Sequence, residues 1–291
     1  METTELIKKV RKIEIKTKGL SSQIFSGEYH SAFKGRGMAF SEVREYIPGD
    51  DIRNIDWNVT ARFNHPYVKI FEEERELTVM LLVDISSSGN FGTKMQFKRE
   101  LITELCAVLS FSAIQNNDKI GVILFSDRIE KFIPPKKGKS HILRIIRELL
   151  DLQPEGTGTD IRLALRYFTN MVKKRSIAFL ISDFIATGYG EDLKIAARKH
   201  DLVALRITDQ RESTMPDIGL ARITDAESGK GIWVDTSSYK TRELYKMNWE
   251  KRQAGLDDLF LKSGIDNVTL STATNYVQPL MNLFKRREKR S

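Results

Sequence analysis

The sequence predicts an α/β fold with a doubly wound, mostly parallel sheet. From residue 76 onwards, short apolar runs alternate with stretches of ten or more residues whose apolar positions recur at helical spacing. In addition, residues 77–83 are almost continuously apolar, which is typical of a parallel strand buried on both faces. Strands that alternate with helices in this way form a sheet that is covered on both sides.

The individual elements follow in chain order. The predicted strands cover residues 77–83, 120–125, 129–133, 176–181, 202–207 and 268–270. The predicted helices cover residues 94–116, 139–152, 160–173, 190–199 and 237–263, with a last helix near the carboxyl terminus. Residues 218–235 predict a β-hairpin, because two apolar runs flank a turn near 229–231.

The amino-terminal quarter of the chain has a different sequence pattern. Apolar residues recur at helical spacing through residues 1–18, which predicts an amphipathic helix. Residues 25–75 are rich in turn residues and short for an independent domain, so we expect this small irregular segment to pack on the sheet. We therefore divide the chain into a helix plus leader segment at 1–75, the α/β domain at 76–284 and a basic tail at 285–291.

Composition excludes several classes of protein. Of the 291 residues, 41% are apolar and 30% are charged, which is an ordinary balance for a soluble protein. No apolar run approaches the roughly 18–20 residues of a membrane helix, and the first residues do not resemble a secretory signal. The single cysteine, Cys106, excludes an intramolecular disulfide and a cysteine-based zinc site, and its apolar neighbours predict a buried thiol. We therefore expect a cytoplasmic protein.

The formal net charge of +8 raises the question of an anionic partner, and much of the excess lies in the basic tail. Aromatic residues are not interleaved with the basic runs, and the chain has no nucleic-acid recognition motif. We therefore expect no nucleic-acid partner. We expect a solvated tail, with peripheral contact to an anionic membrane as the alternative.

Three polar clusters lie where the chemistry of an open α/β sheet is expected. The first covers residues 83–89, at the end of the first predicted strand. The second, 156–161, leads into a helix, and the third, 180–184, lies at the end of another strand. Ligands of such sheets bind just beyond the carboxyl ends of the strands. The three clusters are therefore predicted to meet at one edge of the sheet.

The side chains of these clusters are ligands that hard divalent ions prefer. Alternate residues of an extended loop project the same way, so Asp84, Ser86 and Ser88 can converge. With Thr159 and Asp183 they offer carboxylate and hydroxyl oxygens, which suit Mg²⁺ or Mn²⁺. An isolated Asp-x-Ser-x-Ser loop is weak evidence, because serine and aspartate also fill ordinary turns. Together the three clusters predict a divalent-metal site; the alternative is a degenerate site that holds no metal.

A family resemblance extends this prediction. The Asp-x-Ser-x-Ser loop, the Gly-Thr-Asp-Ile turn and the later strand-terminal aspartate resemble the metal-ion-dependent adhesion site of von Willebrand factor type A domains, in chain order and spacing. The resemblance implies that Ser86, Ser88 and Thr159 coordinate the metal, and that Asp84 and Asp183 orient ligands or bind through water. It also implies a von Willebrand factor type A-like, Rossmann-like domain.

A narrower resemblance covers almost the whole chain. The leader contains Gly35-Arg36-Gly37, Phe40, Arg44-x-Tyr46-x-Pro48-Gly49-Asp50-Asp51-x-Arg53-x-Ile55-Asp56-Trp57 and Ala61-Arg62. This pattern is similar to the signature of domain-of-unknown-function family 58. The resemblance implies a leader combined with a type A domain, and a MoxR-type AAA+ ATPase as partner. Many members carry two amino-terminal membrane helices, which are missing from this sequence, so we expect a soluble form.

The charged residues of the leader have two possible roles. The set comprises Asp50, Asp51, Arg53, Asp56 and Arg62. They form either a second functional site or a charged network that docks the leader on the sheet, since arginine and aspartate pair with fixed bidentate geometry. We favour the structural role, with Trp57 as its apolar anchor.

These observations favour a non-enzymatic adaptor over an enzyme. An open coordination position on the metal would take an acidic side chain from a partner protein, and the ATPase would supply energy, because the chain has no phosphate-cradling motif. One alternative is a metal-assisted hydrolase, but a general base is not visible, since none of His30, His65, His141 and His200 falls in the three clusters. The other alternative is a basic nucleic-acid-binding protein.

Overall fold

The structure is a computed structural model that describes residues 10–14, 16–17, 39–72, 77–86, 97–224 and 231–290. The chain divides into two compact units, of which the smaller is Lys34–Glu76. The larger unit comprises Met1–Phe33 and Leu77–Ser291. The described helical residues near the amino terminus therefore group with the larger unit, whereas the predicted division placed that helix with the leader.

The described part of the smaller unit contains two strands and two short helices. Its described elements are strand β1 (Ala39–Glu45), a 3-10 helix (Ile52–Asn54), helix α1 (Trp57–Phe63) and strand β2 (Tyr67–Glu72). The two strands pair in antiparallel fashion. Asp56 begins α1 by accepting hydrogen bonds from the Asn58 and Val59 amides, which satisfies two of the free donors at the helix start. The segment predicted as irregular is thus a small folded unit.

Charged residues of the leader motif contact one another within the smaller unit. The Arg44 guanidinium donates two hydrogen bonds of 2.8 Å to the Asp50 carboxylate, and these hold the pKa of Asp50 below its ordinary value. Asp51 accepts a hydrogen bond from the Arg53 amide. Trp57 is the first residue of helix α1. Its role as an apolar anchor on the sheet concerns a contact between the two units and stays a prediction.

The larger unit is built on a six-stranded sheet and a separate hairpin. Its strands are β3 (Thr78–Asp84), β4 (Lys119–Phe125), β5 (Ile129–Lys136), β6 (Ile177–Ser182), β7 (Asp201–Thr208), β8 (Leu220–Thr224), β9 (Gly231–Asp235) and β10 (Asp266–Ser271). The sheet order is β10–β7–β6–β3–β4–β5, and only the edge strand β5 runs antiparallel to its neighbour. Strands β8 and β9 form the predicted hairpin, whose turn lies outside the described residues.

Helices cover both faces of the sheet. They are α2 (Lys98–Gln115), α3 (Lys139–Asp151), α4 (Ile161–Met171), α5 (Gly190–Lys199), α6 (Gln210–Ser213), α7 (Tyr239–Lys262) and α8 (Val277–Glu288). Val79, Leu81 and Val83 of β3 join a core with α2, α3 and α8. Met80 and Leu82 face the other way and join a core with α4, α5 and α7. The predicted doubly wound, mostly parallel sheet is confirmed.

The carboxyl-terminal basic residues differ from the prediction of a solvated tail. Helix α8 continues to Glu288, and the Arg287 guanidinium forms ion pairs with Asp201 and Asp266. These two carboxylates lie at the starts of β7 and β10, so they hold the end of the helix at that edge of the sheet. The single cysteine is buried, as predicted, and burial raises the pKa of its thiol.

Each of the described helices is too short or too polar to cross a bilayer.

Candidate metal centre

The described residues of the three polar clusters lie at the carboxyl edge of the sheet. Strand β3 pairs in parallel with both β4 and β6, so the carboxyl ends of these three strands are neighbours. Asp84 is the last residue of β3, and Ser182 is the last residue of β6. Thr159 lies in the loop before α4, and the next amide, that of Asp160, donates a 2.8 Å hydrogen bond to the Ser126 carbonyl just beyond β4. The loop is thereby tied to the same edge.

Asp84 is a buried carboxylate, and both of its oxygens accept hydrogen bonds. It is 4% exposed. One oxygen, Oδ1, accepts a hydrogen bond of 3.0 Å from the Ser86 amide, and Oδ2 accepts one of 2.6 Å from the Ser182 hydroxyl. Burial, followed by the negative charge of Asp183, raises the pKa of Asp84 to about 6. Asp84 is therefore in a place where a nearby positive charge would stabilise its ionised form.

Ser182 connects the ends of two strands, and sequence reasoning did not select it. Its hydroxyl donates to Asp84 and accepts a hydrogen bond of 3.0 Å from the Phe184 amide. Phe184 has a φ of 57°, in the left-handed region that costs a non-glycine residue about 1–3 kcal/mol. Its buried ring packs against Phe260 at a centroid distance of 5.2 Å, which offsets this cost. The resulting turn sets the position of Asp183, which lies between the two residues.

Asp183 is paired with a buried lysine that was not predicted. Its Oδ1 accepts a hydrogen bond of 3.2 Å from the Ile185 amide, and its Oδ2 accepts one of 3.1 Å from Lys98 Nζ. The same ammonium donates to Glu212. Burial opposes the charged form of Lys98, but the charges of Asp183 and Glu212 outweigh it and raise the pKa of the lysine. Lys98 is 2% exposed.

The five predicted metal ligands have different outcomes. Asp84, Ser86 and Asp183 are buried at the carboxyl edge, with Ser86 3% exposed. Thr159 is half-buried in the loop that reaches this edge. Ser88 lies outside the described residues. Adjacency to Asp183 at a strand end was the one signal in the sequence that could have selected Ser182. Lys98 is 85 positions from Asp183 and 114 positions from Glu212, so no local pattern could have selected this contact.

The chemistry of the donor set fits a hard divalent cation. Lys98 pairs with Asp183 and Glu212. Asp84 forms no ion pair among the described residues, although Arg99 lines the same pocket. A divalent ion beside Asp84 would compensate its buried negative charge. The described residues contain no group of three or more histidine, cysteine or acidic side chains suited to a metal ion. A metal here would therefore depend on hydroxyl oxygens, as the serine- and threonine-rich clusters predict.

Buried histidines lie at the opposite edge of the sheet. His141 Nε2 is 2.9 Å from the Ile120 carbonyl, near the start of β4. His200 Nδ1 is 3.0 Å from the Ser176 hydroxyl, just before β6 begins. Both positions are at amino ends of strands, whereas Asp84 and Asp183 are at carboxyl ends. These two imidazoles are therefore not placed to act as general bases at the candidate metal centre.

Solved structures with a similar fold have low sequence identity to this chain. BatB from Bacteroides thetaiotaomicron is 17% identical, with a TM-score of 0.47 over 73% of this chain and 99% of that one. An aerotolerance-related membrane protein from Bacteroides fragilis NCTC 9343 is 16% identical, with a TM-score of 0.49 over 74% and 100%. Because both TM-scores are below 0.5, the assignment of this chain to a family depends on sequence.

Two relatives and a family model match this chain by sequence. The protein Rv1480 of Mycobacterium tuberculosis (strain ATCC 25618 / H37Rv) is 30% identical over 232 residues, which are 79% of this chain and 73% of that protein. YeaD of Bacillus subtilis (strain 168) is 28% identical over 109 residues, 38% of this chain and 25% of that protein. A family model described as protein of unknown function DUF58 matches residues 42–255. This match spans most of the chain, which therefore belongs to the DUF58 family.

Proposed function

We propose that this protein is a non-enzymatic, metal-dependent adaptor that binds other proteins. One observation carries the proposal: Asp84 at the end of β3 and Asp183 just after β6 are buried at one edge of the sheet and connected through Ser182. The loop of Thr159 is tied to the same edge. Such an arrangement of carboxylates and hydroxyls, at the carboxyl ends of parallel strands, suits a ligand site rather than a structural ion pair.

The proposed metal is Mg²⁺ or Mn²⁺. By resemblance to the type A adhesion site, the hydroxyls of Ser86, Ser88 and Thr159 would hold it, with Asp84 and Asp183 in supporting positions. When bound, the cation supplies an open coordination position that an acidic side chain of a partner protein can fill. The side chains of this protein would fix the position of that ion. Ser182 holds Asp84 and the turn that carries Asp183 in fixed relative positions.

The proposed partner system follows from the resemblance to the family. It includes a MoxR-type AAA+ ATPase, with this protein presenting clients for assembly or maturation. The ATPase would supply the energy, because the sequence has no G-x-x-x-x-G-K-[ST] motif for nucleotide phosphates. The positions of the two buried histidines, at the amino edge of the sheet, support a binding role over hydrolysis.

Calorimetric titration of an acidic peptide, and separately of a MoxR-type ATPase, into the full chain tests the proposal. We expect binding in Mg²⁺, loss of binding in excess EDTA, and loss in Asp84→Ala. The matched control is Asp258→Ala, which removes an exposed aspartate that pairs with Lys262 on α7. Binding that is unchanged both in EDTA and in Asp84→Ala contradicts the adaptor function.

Two further assays on the same protein test the two alternative functions. Turnover of ester or phosphoester substrates that disappears in Asp183→Ala would favour the metal-assisted hydrolase. Binding of RNA or DNA that persists in EDTA and falls steeply with salt would favour the nucleic-acid-binding protein.

A further inference from the structure

Lys98 occupies a position that neither its helix nor the core explains. It is the first residue of α2, where the positive end of the helix dipole disfavours a cation. It is also 2% exposed, and removing an ammonium group from water is costly unless the charge is paired. The lysine must therefore be stabilised by its two carboxylate partners, Asp183 and Glu212.

The contact with Asp183 bears directly on the candidate metal centre. Lys98 Nζ donates to Asp183 Oδ2 at 3.1 Å, and the other oxygen of this carboxylate already accepts from the Ile185 amide. Both oxygens are thus engaged by donors of this chain. A divalent ion that uses the charge of Asp183 must share it with the ammonium, and two cations at one carboxylate repel each other.

Glu212 gives the lysine a second, firmly placed partner. Its Oε2 accepts a hydrogen bond of 2.9 Å from the Asp209 amide, which completes the capping box of α6. Asp209 in turn accepts from the Thr272 hydroxyl at 2.5 Å, just beyond β10. Glu212 is therefore fixed to the ends of β7 and β10. Lys98 can stay paired with Glu212 when Asp183 turns towards another cation.

We propose that Lys98 is an internal cation that competes with the divalent ion for Asp183 and so sets the metal affinity of the site. This inference depends on the proposed function, because it concerns the regulation of the same metal centre. Glu212 is the counterpart that draws the ammonium away from Asp183. The two residues are expected to act in opposite directions, and a merely structural role for the triad does not predict this.

Titration of Mg²⁺ and Mn²⁺ into the full chain by calorimetry tests the inference in four proteins. Relative to wild type, Lys98→Gln is expected to bind the metal about tenfold more tightly, which corresponds to about 1.4 kcal/mol. Lys98→Arg keeps the charge and is expected to stay within about threefold of wild type. Glu212→Gln leaves the ammonium with Asp183 alone and is expected to bind the metal about threefold to tenfold more weakly.

The outcomes separate this inference from the proposed function. If wild type binds metal and a folded Lys98→Gln binds it equally or more weakly, the competition is refuted while the metal centre stands. If wild type, Lys98→Gln and Lys98→Arg all fail to bind metal, the metal centre itself is refuted. Circular dichroism reports folding; if Lys98→Gln does not fold, a Glu212→Gln affinity equal to or above that of wild type overturns the inference.

Discussion

The two edges of the sheet hold similar ion triads in different electrostatic settings. At the amino edge, Arg287 pairs with Asp201 and Asp266, whose side chains are 29% and 25% exposed. At the carboxyl edge, Lys98 pairs with Asp183, which is only 5% exposed, and with Glu212. The carboxyl edge holds in addition the buried Asp84, with which no basic side chain among the described residues forms an ion pair.

This difference supports the proposal that the carboxyl edge is the binding site, whereas the amino edge contributes to stability. The amino-edge carboxylates are paired and partly solvated, so they need no further partner. The carboxyl edge contains Asp84, a buried carboxylate that forms no ion pair among the described residues, and buried charge destabilises a protein unless a counter-ion compensates it. This carboxylate is a reason to propose a cation-binding function there, and the predictions below test whether the two edges are distinct in this way.

The largest expected effect separates the edges by metal affinity. Asp84→Ala is expected to weaken Mn²⁺ binding by more than about 100-fold, since removing even a supporting residue of a metal site costs 10- to 100-fold. Asp266→Ala, at the amino edge, is expected to leave Mn²⁺ affinity unchanged and to lower the free energy of unfolding by about 1 kcal/mol. Calorimetry and denaturant unfolding measure the two quantities. Equal losses of Mn²⁺ affinity in both variants would contradict the proposed difference between the two edges of the sheet.

The next effect concerns pH and the amino edge. Burial, with smaller contributions from Lys199 and Arg175, lowers the pKa of His200 from 6.5 to about 4. The unfolded chain therefore binds the proton more tightly, so stability is fully present above pH 6.5 and is lost as pH falls towards 4. From pH 7 to pH 5 the loss from this one group is about 2 kcal/mol.

Urea unfolding at several pH values measures this loss. His200→Gln is expected to show a flatter dependence of the free energy of unfolding between pH 5 and 7, because it removes the titrating group. In the variant, the lowered pKa of His141 gives a residual slope of the same sign, and the raised pKa of Asp84 gives one of the opposite sign. A slope in His200→Gln as steep as in wild type would contradict the assignment.

The two ends of β6 provide a comparison within one strand. Ser182→Ala removes a donor to the buried Asp84 carboxylate, and we expect a loss of about 1–3 kcal/mol in stability and about tenfold in metal affinity. Ser176→Ala removes a hydrogen bond to His200 at the amino edge and is expected to lower stability alone. Metal titration of both variants measures the difference in metal affinity. A loss of metal affinity in Ser176→Ala would show that the amino edge influences the metal centre.

The smallest expected effect concerns the loop that carries Thr159. A Cβ atom added to Gly156 would lie 2.0 Å from Asp127 Oδ1 and 2.3 Å from Ser126 Oγ, so the loop or these side chains must shift. Asp127 is exposed and can move, but Ser126 is buried, so the loop itself must shift, and we expect Gly156→Ala to weaken metal binding about threefold. Gly255→Ala, in open space on α7, is the control and is expected to leave affinity unchanged. Unchanged affinity in Gly156→Ala would mean that this loop does not contribute.

Much of the fold was predictable because the relevant signals are local. The strand predicted at 120–125 is observed at Lys119–Phe125, and the helix predicted at 190–199 has the same bounds in the structure. Hydrophobic periodicity reports secondary structure within a few residues of each position. The polar clusters around Asp84 and Asp183 followed from the same pattern, since they come directly after predicted strands.

Exposure and pairing were not predictable in this way. Lys98 belongs to a residue type that is usually exposed, yet it is 2% exposed, because burial depends on the elements that pack around a side chain. The basic carboxyl terminus was predicted to be a solvated tail, yet Arg287 is paired with carboxylates 86 and 21 positions earlier. The sequence does not indicate which strand starts lie beside the last helix.

The sequence by itself determined the order of strands and helices and the strand-end positions of the aspartates, because periodicity and turn chemistry act between near neighbours in the chain. Only the tertiary structure decided that Ser182 joins Asp84, and that Lys98 is enclosed between Asp183 and Glu212. These contacts depend on which strands become neighbours in the sheet and on how deeply their ends are buried. Both are properties of the whole packed core, which no local pattern encodes.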